Sequence, residues 1–179
     1  MLKKILIALA LIIVVFLIIV SLQPATYSVM RSAKVAGTPA TVFAQVNDFH
    51  KWEAWSPWGK LDPAMKTTFS GAAAGKGAVY NWVGNDKVGE GQMTILDSRP
   101  DELIKIKLEF IKPFAAVAAN DFAFKVEGNQ TVVTWTMSGQ NNFIGKAMCL
   151  FMNMDKSIGP DFERGLTQLN TVTSALPKP

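Results

Sequence analysis

Sixteen consecutive residues, Ile5 to Val20, carry no polar side chain, and Leu22 extends the run past Ser21. A segment of this kind belongs in lipid. Eighteen helical residues rise about 27 Å, close to the roughly 30 Å hydrocarbon core of a bilayer, and the stems of Lys3 and Lys4 can snorkel across the difference. The rival is a cleaved signal peptide, whose apolar stretch is usually about 7–15 residues and ends at small residues. Gln23-Pro24-Ala25-Thr26 is a poor cleavage site, so length and sequence favour a retained anchor. With Lys3 and Lys4 on the short leading side, the positive-inside rule keeps the N-terminus cytoplasmic and exports the chain beyond Ser21. The expectation is a single pass through the inner (cytoplasmic) membrane. Residues 1–22 are then an anchor or uncleaved signal, 23–26 a linker, and 27–176 one domain in the periplasm or outside the cell.

Roughly 150 residues remain after the anchor, enough for one core and too few for two. Without Lys3 and Lys4, sixteen basic residues face fourteen acidic ones, and Arg31, Arg99 and Arg164 are the only arginines. That balance argues against a nucleic-acid partner. Cys149 is the only cysteine and His50 the only histidine. No intramolecular disulfide is possible, and neither a cysteine-pair zinc site nor a histidine triad can be assembled. No metal and no cofactor is expected. In an oxidising compartment a free Cys149 is tolerable when buried, which Met148, Leu150 and Phe151 beside it suggest.

Periodicity outlines the domain. Tyr27 to Val35 reads as a first strand, and Thr38-Pro39 opens a helix through Val46, threonine as cap and proline at the first helical position. A second short helix carries Trp52 and Trp55 and ends at Ser56-Pro57. The period then becomes two, with strands near Lys66–Ser70, Ala78–Val83, Val88–Leu96, Glu102–Phe110, Ala116–Val126 and Thr131–Ser138. Ile104, Ile106, Leu108 and Phe110 alternate with Lys105, Lys107 and Glu109. Phe122, Phe124 and Val126 repeat the pattern, as do Val133, Trp135 and Met137, so the sheet has one apolar side that needs a cover. Helices over Phe143–Asn153 and Asp161–Ala175 supply it, the second with Phe162, Leu166, Leu169 and Val172 at helical spacing. The fold class is α+β: a curved antiparallel sheet of about seven strands wrapped around a long C-terminal helix, two short helices after the first strand. This is the helix-grip arrangement.

Several pieces in this order resemble the polyketide cyclase/dehydrase branch of the START-related (SRPBCC) superfamily. They are Val42-Phe43, Val46-Asn47-Asp48-Phe49, Trp52, Trp55, Ser56-Pro57-Trp58, Tyr80, Trp82, Gly89-Glu90-Gly91, Gly159-Pro160-Asp161-Phe162-Glu163 and Gly165-Leu166. The resemblance covers nearly all of the exported part. It implies a deep apolar tunnel between sheet and C-terminal helix, used across the superfamily for lipids, isoprenoids and polyketides, and it implies no single reaction.

Strand parity and helix face nominate Trp82, Met93, Ile106, Leu108, Phe124, Trp135, Met137, Met148, Met152 and Phe162 as cavity lining. Core filling competes for each of them. The tryptophans at 52, 55 and 58 either pin the short helices to the sheet or line a tunnel mouth or dip into the membrane interface, and packing is the more usual role. His50 is a candidate general base, with a packing or exposed role as the alternative. Glu90, between two glycines, can mark a bulge that turns a carboxylate inward, and Asp121 is the other candidate acid; simple alternation leaves both facing water. Three functions fit these residues. The first is a membrane-tethered binding protein whose partner is a hydrophobic small molecule or lipid, held to the membrane through residues 5–22. The second is a cyclase or dehydratase-like enzyme using an acid or His50. The third is an envelope interaction scaffold with a collapsed cavity.

Overall fold

The alternation of apolar and polar residues becomes a single sheet in the computed structural model, which describes residues 1–177. The strands are β1 (Thr26–Ala36), β2 (Lys66–Gly71), β3 (Ala78–Val83), β4 (Glu90–Arg99), β5 (Leu103–Lys112), β6 (Ala116–Glu127) and β7 (Gln130–Gln140). They lie in the order β1-β7-β6-β5-β4-β3-β2, all neighbours antiparallel. The helices are α1 (Leu2–Ser21), α2 (Pro39–Val46), α3 (Phe143–Met148) and α4 (Met154–Ser174), with 3-10 turns at Phe49–Ala54 and Trp58–Lys60. This is the helix-grip fold expected from the sequence. α1 is the one helix among the described residues long and apolar enough to cross a membrane.

Local chemistry explains the boundaries. Thr38 caps α2 by accepting from the Thr41 amide, with Pro39 at the first helical position, where its missing N–H costs nothing. Asp48 caps the 3-10 turn at Phe49–Ala54, accepting from the His50 amide at 3.0 Å. The C-terminal helix begins seven residues earlier than the sequence suggests. Asn153 caps it by accepting from the Lys156 amide, and Pro160 lies inside it. Proline is a poor interior residue because it removes one hydrogen bond, but tertiary contacts on both sides of it outweigh that loss here.

Those contacts centre on Trp135 of β7. Its ring stacks on Phe162 of α4 at 4.1 Å and on Phe122 of β6 at 4.8 Å, with Trp55 and Trp58 edge-on. The three tryptophans of the short helical segment therefore pack against the core. α4 can come this close because Gly165 faces Trp135: a Cβ there would lie 2.8 Å from the indole. Gly159 is equally constrained, since a Cβ would lie 2.0 Å from the Arg31 guanidinium.

Arg31 reaches from β1 to both sides of that glycine, donating to Asp155 at 2.7 Å and to Glu163 at 2.6 Å. This clasp holds the first turns of α4 on the sheet. The hydrogen bond from Arg31 keeps the Asp155 carboxyl below the usual aspartate range. A carboxylate with a depressed folded-state pKa contributes stability above its unfolded pKa, about 4, and loses that contribution as pH falls through the folded value. Near-ultraviolet dichroism of the stacked aromatics is expected to hold at neutral pH and to weaken below about pH 4. Asp155→Asn is expected to show part of that loosening already at pH 7; an identical acid profile in this variant would remove the clasp from the account.

Candidate functional site

Aromatic side chains fill the groove between the sheet and the middle of α4, so open space lies at one end of the sheet, not along the whole helix. There a cavity of about 1090 Å³ is bounded by the ends of β5, β6 and β7, by Tyr27 of β1, by α3, and by Met154 and Ile158 of the first turns of α4, and it continues past the strand ends onto the convex face. Small-molecule sites typically span about 300–1,000 Å³, so this one has room for a long or branched apolar ligand. Ile106, Phe110, Ala116, Ala118, Met137 and Gly139 project from the concave face. By strand parity Lys105, Lys107 and Asp121 stand on the convex face, and they line that part of the same cavity.

Of the ten lining positions expected from the sequence, Ile106, Met137, Met148 and Met152 border the chamber. The other six do not. Trp135 and Phe162 are the stacked pair that fills the groove. Phe124 packs edge-on against Phe43 of α2, 5.4 Å between ring centroids. Met93 and Leu108 are a cross-strand pair buried to 8% exposure. Trp82 donates its indole N–H to the Val88 carbonyl at 3.0 Å and lies over Gly91, where a Cβ would come within 2.4 Å of the ring. Parity assigns these residues to the correct face, but the aromatics fill the groove around them.

Of the titratable candidates, His50 and Glu90 lie outside the chamber, and Asp121 lines its convex-face part. His50 stacks on Phe69 of β2 at 4.1 Å and its Nδ1 is 2.9 Å from Asp48. A bulge does occur at Glu90/Gly91, and Glu90 pairs with Lys112 at 2.6 Å. Asp121 is half-buried on the convex face, where desolvation raises its carboxyl above the usual range against the pull of Lys105 and the Ile106 backbone. Its neighbour Asn120 is the buried inner-face polar group, accepting from the Trp135 indole N–H at 2.6 Å. Cys149 is half-buried in the chamber wall, with the Asn141 side-chain amide 3.5 Å from its sulfur.

Sequence reasoning missed the chamber's polar feature. Tyr27 faces Gly139 across the β1–β7 pair, and a Cβ at Gly139 would lie 2.7 Å from the phenol oxygen. The ring therefore rests on the glycine, in the cross-strand aromatic–glycine arrangement. Its hydroxyl takes no hydrogen-bond partner among the described residues, and burial pushes its pKa above the ordinary tyrosine value. It stays a neutral phenol able to donate to a bound molecule. The parity that groups Tyr27 with Val29 was the available signal.

The family model described as polyketide cyclase / dehydrase and lipid transport matches residues 26–173, the whole sheet and nearly all of α4. None of the curated proteins matches significantly. Among solved structures, the Aha1 dimer from Colwellia psychrerythraea aligns with a TM-score of 0.59 at 12% identity, covering 83% of this chain and 97% of that one. An uncharacterised protein from Rhizobium leguminosarum gives 0.62 at 12% identity, covering 84% and 96%. The di-domain ARO/CYC StfQ of the steffimycin biosynthetic pathway gives 0.59 at 9% identity, covering 84% of this chain and 51% of that one. At these identities the structural likeness speaks for the fold alone.

Proposed function

The chain belongs to the polyketide cyclase / dehydrase and lipid transport family, and from that premise we propose that it is a membrane-tethered binding protein for a hydrophobic small molecule or lipid. The observation that carries this reading is the chamber itself. Its concave wall is apolar, methionines from β7, α3 and the segment after α3 give it adaptable surface, and one unpartnered phenol projects into it. In this reading residues 1–22 remain as a single-pass anchor in the inner membrane, with the N-terminus in the cytoplasm. Residues 23–26 are a short linker, and the domain from residue 27 to 176 lies on the far side of the membrane, close to it.

Burying about 300 Å² of apolar ligand at about 25 cal/mol per Å² gives about 7 kcal/mol before the costs of association. Purely apolar molecules are then expected to bind with affinities near micromolar or weaker, with polar groups adding selectivity. Native mass spectrometry of the full chain, released from gently solubilised membranes, is expected to show a bound apolar molecule that solvent extraction can identify. A chain that arrives empty and also ignores fluorescent apolar probes would overturn the proposal.

The phenol gives a sharper test. Tyr27→Phe removes one hydrogen-bond donor and keeps the ring on Gly139. It is expected to weaken ligands with a polar acceptor by about 2- to 13-fold, matching a hydrogen bond worth about 0.5–1.5 kcal/mol. Hydrocarbon probes are expected to bind unchanged. Titration of paired probes differing by one carbonyl checks this directly.

A further inference from the structure

The chamber opens among exposed apolar side chains. Phe143, Ile144 and Met148 of α3, Phe151 and Met152 after it, and Phe114 in the β5–β6 turn all stand outside the core, Phe151 at 82% and Phe114 at 61% exposure. Isolated exposed apolar residues are ordinary, but a contiguous cluster of large ones marks an interaction surface. Phe114, Ile144, Met148 and Met152 also line the chamber, so the cluster forms its rim.

The structure also places this rim relative to the anchor. α1 stands free of the domain except at its last turn, where Val20 is fully buried and the helix packs against α3. The Lys146 ammonium of α3 donates to the Ser21 carbonyl at 3.1 Å. Asn141, just before α3, holds the linker at two points, its side chain donating to Pro24 O at 3.0 Å and its amide to Ala25 O at 2.8 Å. The point where the apolar helix ends is therefore tied to the element that carries the rim.

We propose that α3, the segment after it and the β5–β6 turn sit in the interfacial layer of the bilayer that α1 enters, so that the chamber opens into the membrane and takes a bilayer lipid through that rim. The proposal rests on the binding function above and on α1 as a retained anchor. A helix end pinned to α3 fixes the rim at the height of the membrane surface. Large apolar side chains there enter the headgroup and acyl boundary, while Lys146 reaches back toward polar atoms.

The test uses the full chain reconstituted in phosphatidylcholine/phosphatidylglycerol vesicles. In a Cys149→Ser background, an environment-sensitive fluorophore is attached at Phe151→Cys, at Phe114→Cys, or at Asn129→Cys in the β6–β7 turn at the opposite end of the sheet. Quenching by spin-labelled lipid is expected to be at least several-fold stronger at 151 and 114 than at 129. Equal quenching at the three sites would overturn the proposal. Uptake of a fluorescent fatty acid by the unaltered chain, reconstituted in vesicles of the same composition, separates the two ideas. Uptake without preferential quenching leaves the binding function standing and removes the docking. Preferential quenching without uptake leaves the rim at the bilayer surface but overturns lipid entry and, with it, the binding function.

Discussion

Trp135→Ala is expected to destabilise the domain by about 5 kcal/mol or more, a loss on the scale of the whole stability of many domains. Removing a fully buried tryptophan typically costs about 3–5 kcal/mol in transfer and cavity terms. Here the cavity would open where Phe162, Phe122, Trp55 and Trp58 all meet the indole. The substitution also leaves the Asn120 side-chain oxygen without the indole N–H that now lies at 2.6 Å, in a residue only 3% exposed. An unsatisfied buried polar group adds about 1–3 kcal/mol. Trp135→Phe separates the contributions, because it keeps much of the stacking and loses only the donor. Urea unfolding of the full chain in detergent, monitored by circular dichroism, checks both variants. If Trp135→Ala unfolds within about 1 kcal/mol of the unaltered chain, the ring is not the centre of packing described here.

The difference between Trp135 as packing and Trp135 as cavity lining shows where sequence reading stops. Period-two alternation identified the inward faces of β5, β6 and β7, because one wet face and one dry face leave a direct imprint on residue type. Parity cannot say which inward residues touch a ligand and which touch a helix. That depends on where the covering helix starts, and Pro160 hid its start. With the helix taken to begin at Asp161, Met154 and Ile158 do not enter the site, although both border the chamber. Strand ends are also poorly encoded: Val126 shares parity with Phe122 and Phe124 yet is 62% exposed, one step from the last pair of its hairpin. Tyr27 and Gly139 escaped notice for a different reason. Their meaning lies in a pairing between the first strand and the last, and parity with Val29 gives the face of Tyr27 but not the glycine opposite it.

Ala118→Trp is expected to weaken apolar probe binding at least tenfold while leaving the fold intact. Ala118 lies on the concave face between Leu108 and Gly139 and borders the chamber. An indole projecting from that position would occupy room that an apolar ligand now has. A tryptophan side chain buries about 150–250 Å², so a ligand excluded from that area forfeits several kcal/mol at about 25 cal/mol per Å². Repositioning elsewhere in a chamber of about 1090 Å³ recovers part of this. A tenfold loss, about 1.4 kcal/mol, is the smallest effect consistent with a site centred there. Ala118 is only 3% exposed, so the indole also crowds its neighbours, and a loss of about 1–3 kcal/mol in a chain that still folds is expected, short of the loss at Trp135→Ala. Lys125→Trp, on the convex face, supplies the matched surface control and is expected to bind probe normally. Probe displacement together with urea unfolding distinguishes the outcomes. Lost binding by a chain that still unfolds cooperatively places the ligand in the chamber. Unchanged binding with a folded Ala118→Trp chain would mean that the apolar molecule sits elsewhere, and the chamber would have to be given another role.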